Sequence, residues 1–392
     1  MMDIYYLGGE KKQLMGSLVL KDRKIYFGYD PVFLQTGLEL SPFKLPLKAG
    51  IQVCEDRVFE GLFGIFNDSL PDGWGRLLLD RKLMKMGLNP GSLSPLDRLS
   101  YVGHQGMGAL AYEPAIEEET LFPLKDFDTL AEEIWQVYEH NEDQFVEELL
   151  AMNGSSAGAR PKILIELEGR PWIIKFRSSL DPKDMGPIEY AYHLMAKAAK
   201  LELPEARLFP AKKGSGYFGV QRFDCFNHQR KHIHTISGLL HLDHRFPSLD
   251  YEQILKVTTW LTKDQREVEK QFRLAVFNVL SHNRDDHAKN FSFMMNEKGV
   301  WKTSPAYDLT FSSGPSGEHC SLIMGEGKNP GVQHLLKLAE SAELPKSQAL
   351  QVFDEVKDAI SQWELFAKQA GVSKSSSSRI QAVLKQWRKS SA

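Results

Sequence analysis

The sequence predicts an α+β chain with an N-terminal β-rich region, a small mixed lobe and a mostly helical C-terminal lobe. Three observations carry that prediction. Short strand patterns at Ile4–Leu7, Gln13–Leu20 and Lys24–Tyr29, separated by turn residues, predict a small antiparallel sheet. Further strand patterns at Ile163–Leu167 and Trp172–Phe176 share the turn Glu168–Pro171; a helix from Ile188 to about Lys200 follows, then strands around Arg207–Phe209 and Tyr217–Phe223. From Tyr251 to Ala370 helical periodicity dominates. The corresponding boundaries are 1–120, 121–225 and 226–392.

Between these stretches the punctuation is clear. Leu70-Pro71-Asp72-Gly73-Trp74-Gly75-Arg76 leads into a helical pattern at Leu77–Met84, and Pro95–Val102 forms a further helix ended by Gly103. The polar stretch Ile116–Thr120 closes the first unit. Phe127 to Leu150 reads as one amphipathic packing helix, with Leu130, Ile134, Val137 and Tyr138 on its apolar side. At the C-terminus, Ser373–Ser378 reads as a short linker, with Ser378 capping a basic helix from Ile380 to Arg388.

Composition sets the outer bounds. With 392 residues, 42% hydrophobic and 25% charged, the chain has room for two or three globular units. A formal net charge of −3 provides no global attraction to nucleic acid. The start, Met1 to Tyr6, lacks the basic and apolar regions of a signal peptide, and no apolar run is long enough to span a bilayer, so the expectation is a cytoplasmic protein without membrane contact. Cys54, Cys225 and Cys320 stand far apart, which argues against a disulfide framework or a zinc ribbon; they are expected to be buried small hydrophobes.

The chemistry concentrates in Ser281 to Phe291 and in Ser304-Pro305-Ala306-Tyr307-Asp308. Asp285 stands five residues before Asn290, and Asp308 follows after a hairpin pattern through Asn296–Gly299. That is the order of catalytic Asp, metal-binding Asn and metal-binding Asp in protein kinases. A carboxylate at Asp285 can accept a hydroxyl proton, while Asn290 and Asp308 supply hard oxygens for Mg²⁺. Asp, Asn and His are also ordinary turn residues, so a lone Asp-x-x-x-x-Asn would read as a solvated turn. Asp308 and the hairpin shift the balance to phosphotransfer. His282 and His287 have no matching Cys or Glu partner for zinc.

Upstream, Asn153 to Lys162 is a candidate phosphate loop: small residues let backbone N–H groups approach phosphate, and Arg160 and Lys162 add positive charge, although the Walker A pattern is absent. Lys175, in an apolar strand, is placed as kinases place the lysine that grips the α- and β-phosphates, and Glu189 on the next helix can pair with it.

These motifs resemble the HipA family of bacterial serine/threonine kinases, the toxin halves of HipA/HipB-type toxin–antitoxin systems. The resemblance runs through Asp285 to Ser292, Pro305 to Asp308, Ser155 to Lys162 and Val220 to Asp224, with weaker matches at Leu70-Pro71-Asp72 and Val102 to Leu110. It implies a kinase-like two-lobe fold of the HipA type, with ATP and Mg²⁺ as cofactors. Asp285 would be the catalytic base and Asn290 and Asp308 the metal ligands. Ala157, Gly158, Ala159, Arg160, Lys162, Lys175, His287, Lys289 and Tyr307 would contact ATP, and Gln221, Arg222 and Phe223 would form its adenine hinge. Ser155 would be the autophosphorylation site that silences the kinase, with Ser156 beside it as a second candidate.

The resemblance departs at Asp286, where Gly is familiar, and at Arg160-Pro161, which replaces a Gln-Glu pair. It implies a HipB-like helix-turn-helix antitoxin as partner, with DNA reached only through it, and a protein acceptor of the aminoacyl-tRNA synthetase kind. Two other readings stand beside it: a catalytically silent kinase-like module that holds antitoxin or nucleotide, and a kinase acting on a small molecule or lipid headgroup.

Overall fold

The computed structural model describes residues 1–116, 125–140, 142–153, 158–226 and 229–385. Five strands open the chain. Met2–Tyr6, Gln13–Lys21, Lys24–Tyr29 and Ile51–Val53 pair antiparallel in a meander, and Leu110–Glu113 returns to the free edge of the first strand. Alternation along Met2–Tyr6 sends Met2, Ile4 and Tyr6 inward. That last strand was not foreseen, being short and following a glycine-rich turn.

The second sheet is antiparallel, in the order Lys162–Leu167, Arg170–Lys175, Tyr217–Gln221, Ala206–Phe209. Its register decides the site. Ile163 faces Ile174 and Ile165 faces Trp172 across the ladder, and all four are buried on one face. With a side-chain period of two, the alternate pair Lys162 and Lys175, also directly opposite one another, must emerge on the other face. The core under this sheet draws Trp74 and Leu78 from the helix Gly73–Lys85, so an N-terminal helix packs on the small sheet. Leu130, Ile134 and Val137 complete it with Val146 and Leu149.

Those last residues lie on two helices, Phe127–His140 and Val146–Asn153, where the sequence predicted one. The apolar period continues across the polar Glu142-Asp143-Gln144 break, which interrupts the backbone without changing the face.

The large lobe is built mainly of helices: Tyr251–Thr262, Gln265–Leu280, Val332–Ser341, Lys346–Ser361 and Trp363–Ala370 pack with Met185–Ala198. The last described helix, Lys374–Leu384, begins inside the serine run. Its cap is Ser373, whose hydroxyl accepts from Ser376 N at 3.2 Å, and not Ser378. Buried Asp184 accepts from both Ser373 N and Ser376 Oγ at 2.9 Å, which orders residues expected to be a linker. None of the described helices is long and apolar enough to cross a membrane.

The N-terminal sheet and the large lobe share one hydrophobic core. Histidines mark their seam. Ser41 Oγ lies 2.9 Å from His234 Nε2, and His234 Nδ1 lies 2.6 Å from Asp68 Oδ2. This has the connectivity of a hydrolase triad, yet Ser41 and His234 are fully buried, so no substrate reaches them and the arrangement is a joint. His241 binds Asp56 through Nδ1 at 2.9 Å and accepts from Gly64 N at 2.8 Å. Cys54 is buried, as expected, whereas Cys225 and Cys320 are partly exposed because they lie on short surface segments.

Candidate active site

The site lies where the cleft face of the small sheet meets two loops of the large lobe. The helix Gln265–Leu280 ends at Ser281, and the chain runs through Asp285 to the single turn Ala288–Asn290. A three-stranded sheet, with Ser292–Met295 between His232–Thr235 and Trp301–Thr303, then delivers Asp308. The sequence anticipated its hairpin but not its outer strand.

Lys175 is the hub. Its Nζ lies 2.5 Å from Asp308 Oδ1 and 3.2 Å from Glu189 Oε2. Glu189, almost wholly buried, also meets the Arg160 guanidinium at 3.3 Å, and Arg160 forks onto Asp181 at 3.0–3.1 Å. Asp181 in turn accepts from Ser178 N and Oγ. The Lys175 ammonium, helped by Lys162 and Arg160 and opposed by burial, holds the Asp308 carboxyl far below the usual carboxylate range. Burial disfavours the Lys175 charge, but Asp308 and Glu189 outweigh it and raise its pKa. At Lys162 burial is the largest influence and outweighs the attraction of Asp308, bringing its pKa down to about 8.

Asp285 opens onto the cleft mouth. The surrounding protein still desolvates it, which raises its carboxyl pKa; His287 opposes the rise and the charge of Asp308 adds to it. Asn290 Nδ2 donates to Asp285 O at 2.7 Å, fixing the turn and leaving the amide oxygen for another partner. The His287 ring lies 5.3 Å from that of His244. Lys289 Nζ reaches Asp72 at 2.6 Å, and Lys289 O accepts from Tyr307 Oη at 2.6 Å. Tyr307 in turn packs against Phe223, with ring centroids 5.8 Å apart.

Three placements qualify the sequence expectations. Ser155, Ser156 and Ala157 lie outside the described residues. The Arg222 side chain is buried in a fork onto Asp224, at 2.6 and 2.9 Å, and its N–H is held by Pro171 O at 2.9 Å, which leaves its carbonyl as the group open to a ligand. Gln221 ends the third strand of the small sheet, its N–H held by Glu205 O at 2.8 Å.

Other residues at the site were not foreseen. Asp286, 1% exposed, accepts from Tyr251 Oη at 2.9 Å, His319 Nδ1 at 2.8 Å and Ser321 N at 3.2 Å. It ties the loop of Asp285 to the segment after Asp308. Arg284 reaches the same segment through Gly317 O and Lys328 O. Asp72, noted only as part of a landmark, touches both Gly158, before the strand Lys162–Leu167, and Lys289 of the turn Ala288–Asn290. An alternating apolar pattern can flag a lysine in a strand; nothing local distinguishes a turn aspartate that will be buried.

Comparison with known proteins fits this architecture. Residues 9–113 match the HipA N-terminal domain and residues 154–363 the HipA-like C-terminal domain. A putative kinase, Y4dM of Sinorhizobium fredii, is 26% identical over 172 residues, 41% of this chain and 42% of that protein, so the match spans less than half of either. A chain of the Shewanella oneidensis MR-1 HipA–HipB toxin–antitoxin complex with its operator DNA superimposes with a TM-score of 0.72 at 18% identity, covering 99% of this chain and 95% of that one. At that identity the likeness establishes the kinase-like HipA fold. With both HipA domain types matched along its length, the chain belongs to the HipA family.

Proposed function

We propose that the chain is an ATP- and Mg²⁺-dependent serine/threonine protein kinase acting as the toxin of a toxin–antitoxin system. The observation that carries this reading is the convergence of Lys175, Glu189 and Asp308 beside Asp285. Asp285 would orient an acceptor hydroxyl and take its proton, a role favoured by a carboxyl pKa raised above the ordinary range. Lys175 would grip phosphate oxygens while Glu189 holds its ammonium in place.

The donor set suits Mg²⁺. Asp308 stays ionised and one-third exposed towards the cleft, and the Asn290 amide turns its nitrogen to Asp285 O and its oxygen away. Mg²⁺ takes one or two such oxygens and fills its shell with phosphate and water. Bound there, it would neutralise charge on the transferring phosphoryl group. Phe223 and Tyr307 offer an aromatic wall for the base, and the backbone carbonyls at Gln221 and Arg222 its polar edge.

The acceptor in this reading is a protein hydroxyl on a translation component such as an aminoacyl-tRNA synthetase. Autophosphorylation at Ser155 or Ser156 would silence the kinase, because a phosphate adds about −1.5 to −2 charge beside the ATP phosphates. A HipB-like antitoxin is the expected partner, in keeping with the company HipA keeps in the Shewanella complex, with DNA reached through that antitoxin.

The test is incubation of the purified chain with labelled ATP and Mg²⁺ beside an Asp285→Asn control, with phosphosites mapped by mass spectrometry. Phosphate on Ser155 or Ser156 only in the unmutated chain supports the reading. Nucleotide binding without transfer, from protein whose intact mass shows no prior phosphate, would instead favour the silent module.

A further inference from the structure

The phosphate-loop flank is held by a segment from far upstream. Asp72 accepts from the backbone N–H of Gly158 and, through Oδ2, from Lys289 Nζ at 2.6 Å. Trp74 N returns a hydrogen bond to Gly158 O at 3.2 Å. Between them Gly73, at φ +44°, lies so close to the loop that a Cβ would come within 2.6 Å of Ala159 Cα and of Gly158 O. These are backbone neighbours that cannot swing aside, so the segment and the loop flank fit only with glycine at position 73.

The charge is built in as well. Burial is the largest influence on the Asp72 carboxyl and disfavours its ionised form, yet Lys289, the Gly158 N–H and His244, 3.9 Å away, together lower its pKa. Lys289 is itself mostly buried, so the pair is only weakly screened. Asp72 thus joins three parts of the chain: the entry to the helix Gly73–Lys85, the loop before the strand Lys162–Leu167, and the turn Ala288–Asn290.

We propose that Asp72 is a positioning residue of the nucleotide site, contributed by the N-terminal region. It seats the Gly158 flank of the phosphate loop against the catalytic loop, so that phosphate binding depends on the N-terminal region being docked. The proposal rests on the kinase reading above. It assigns the N-terminal region a part in nucleotide affinity, beyond any part in holding a partner. A carboxylate between an N–H and an ammonium occupies the kind of place a phosphate takes, so the competing sense is a plug that nucleotide displaces. The hydrogen bond from Trp74 N to Gly158 O and the closeness of Gly73 favour a permanent seat over a displaceable plug.

The experiment uses full-length Asp72→Asn, Asp72→Glu and Lys289→Gln beside the unmutated chain. Amide exchange of the peptide containing Gly158 is followed without nucleotide, and then Kd for Mg–ATP, KM and kcat are measured. Loss of one charge-assisted bond predicts exchange at Gly158 and Kd and KM for ATP each rising about tenfold in Asp72→Asn, with kcat falling less and Tm nearly unchanged. Asp72→Glu should recover part of the affinity, and Lys289→Gln should move Kd in the same direction.

Unchanged exchange and affinity in Asp72→Asn would overturn the inference, and tighter ATP binding would overturn it in favour of a plug. If Asp72→Asn does not fold, Lys289→Gln decides: unaltered Kd for ATP and unaltered exchange at Gly158 reject the seat. An unmutated chain that binds no ATP would overturn the kinase reading and this inference together, whereas normal binding by the unmutated chain with no change in the variants sinks this inference alone.

Discussion

Lys175 Nζ touches Asp308 Oδ1 at 2.5 Å across the cleft, although 133 residues separate them in the chain. The contact ends an alternating series, Asp181–Arg160–Glu189–Lys175–Asp308, in which each charge meets one of opposite sign. The series couples the phosphate-loop flank, the helix Met185–Ala198 and the metal-binding candidate Asp308 into one electrostatic unit. With Lys162, which faces Lys175 across the ladder and also acts on Asp308, three cations stand against the three carboxylates.

Lys175→Met should therefore act twice. Phosphotransfer should fall by about 100-fold or more, the scale for removing one preorganised charge from a reacting centre. The Asp308 carboxyl, no longer held down by the ammonium, should titrate closer to the ordinary value of about 3.9. Steady-state kinetics reads the first effect and carbon NMR of the Asp308 carboxyl the second. Activity above half that of the unmutated chain would remove Lys175 from the mechanism.

Asp286 tests the support beneath the loop that carries Asp285. Replacing it with Ala strips Tyr251, His319 and Ser321 N of their shared acceptor in a fully buried setting. Breaking a buried, hydrogen-bonded carboxylate site costs about 3 kcal/mol or more. Urea denaturation of Asp286→Ala should show that loss, together with weaker phosphotransfer because Asp285 is its chain neighbour. A change under about 1 kcal/mol would mean that the loop is held by Arg284 and the backbone instead.

Neighbouring Asp285 and Asp286 show where sequence reading stops. The five-residue spacing to Asn290 marks Asp285, because that constraint is local. What distinguishes Asp286 is burial against Tyr251 and Ser321, both 35 residues away, and no pattern near Asp286 records it. Asp72 is the same case at longer range, since its partner Lys289 is 217 residues on. The strand placement of Lys175 and the helix placement of Glu189 were legible from periodicity, which reports the face a residue occupies. The division of Phe127–Asn153 into two helices was not, because the apolar face persists through the break. The early start of the C-terminal helix was hidden by a serine run whose order depends on distant Asp184.

The seam between the N-terminal sheet and the large lobe should weaken in acid. His232 is fully buried, its Nε2 held by Leu40 O at 2.8 Å, and burial, reinforced by neighbouring His234, depresses its pKa from 6.5 to about 3. The folded state thus excludes a proton that the unfolded chain binds. Its stabilising effect is complete above the unfolded value and is lost as pH falls from about 6.5 towards 3. One such group lowers stability by about 2 kcal/mol between pH 7.5 and pH 5. Denaturation at both pH values checks this, and His232→Phe should flatten that part of the profile. An equally steep decline in the variant would place the acid sensitivity elsewhere.

Arg160→Lys separates charge from geometry at the phosphate-loop flank. The guanidinium engages Asp181 through two nitrogens and Glu189 through a third. A lysine carries the same charge as a single point and cannot span both carboxylates. Glu189 would keep Lys175, so the central pair survives, but Asp181 would lose its bidentate partner and the flank after Gly158 its lateral anchor. Affinity for Mg–ATP should fall by about tenfold or more, the scale of one charge-assisted hydrogen bond. Under this geometry Asp181→Asn should weaken binding similarly, and combining the two changes should cost less than the sum, because both break the same contact. Calorimetric titration of the single and double variants measures that coupling; strictly additive losses would show that Arg160 acts on the nucleotide directly, without Asp181.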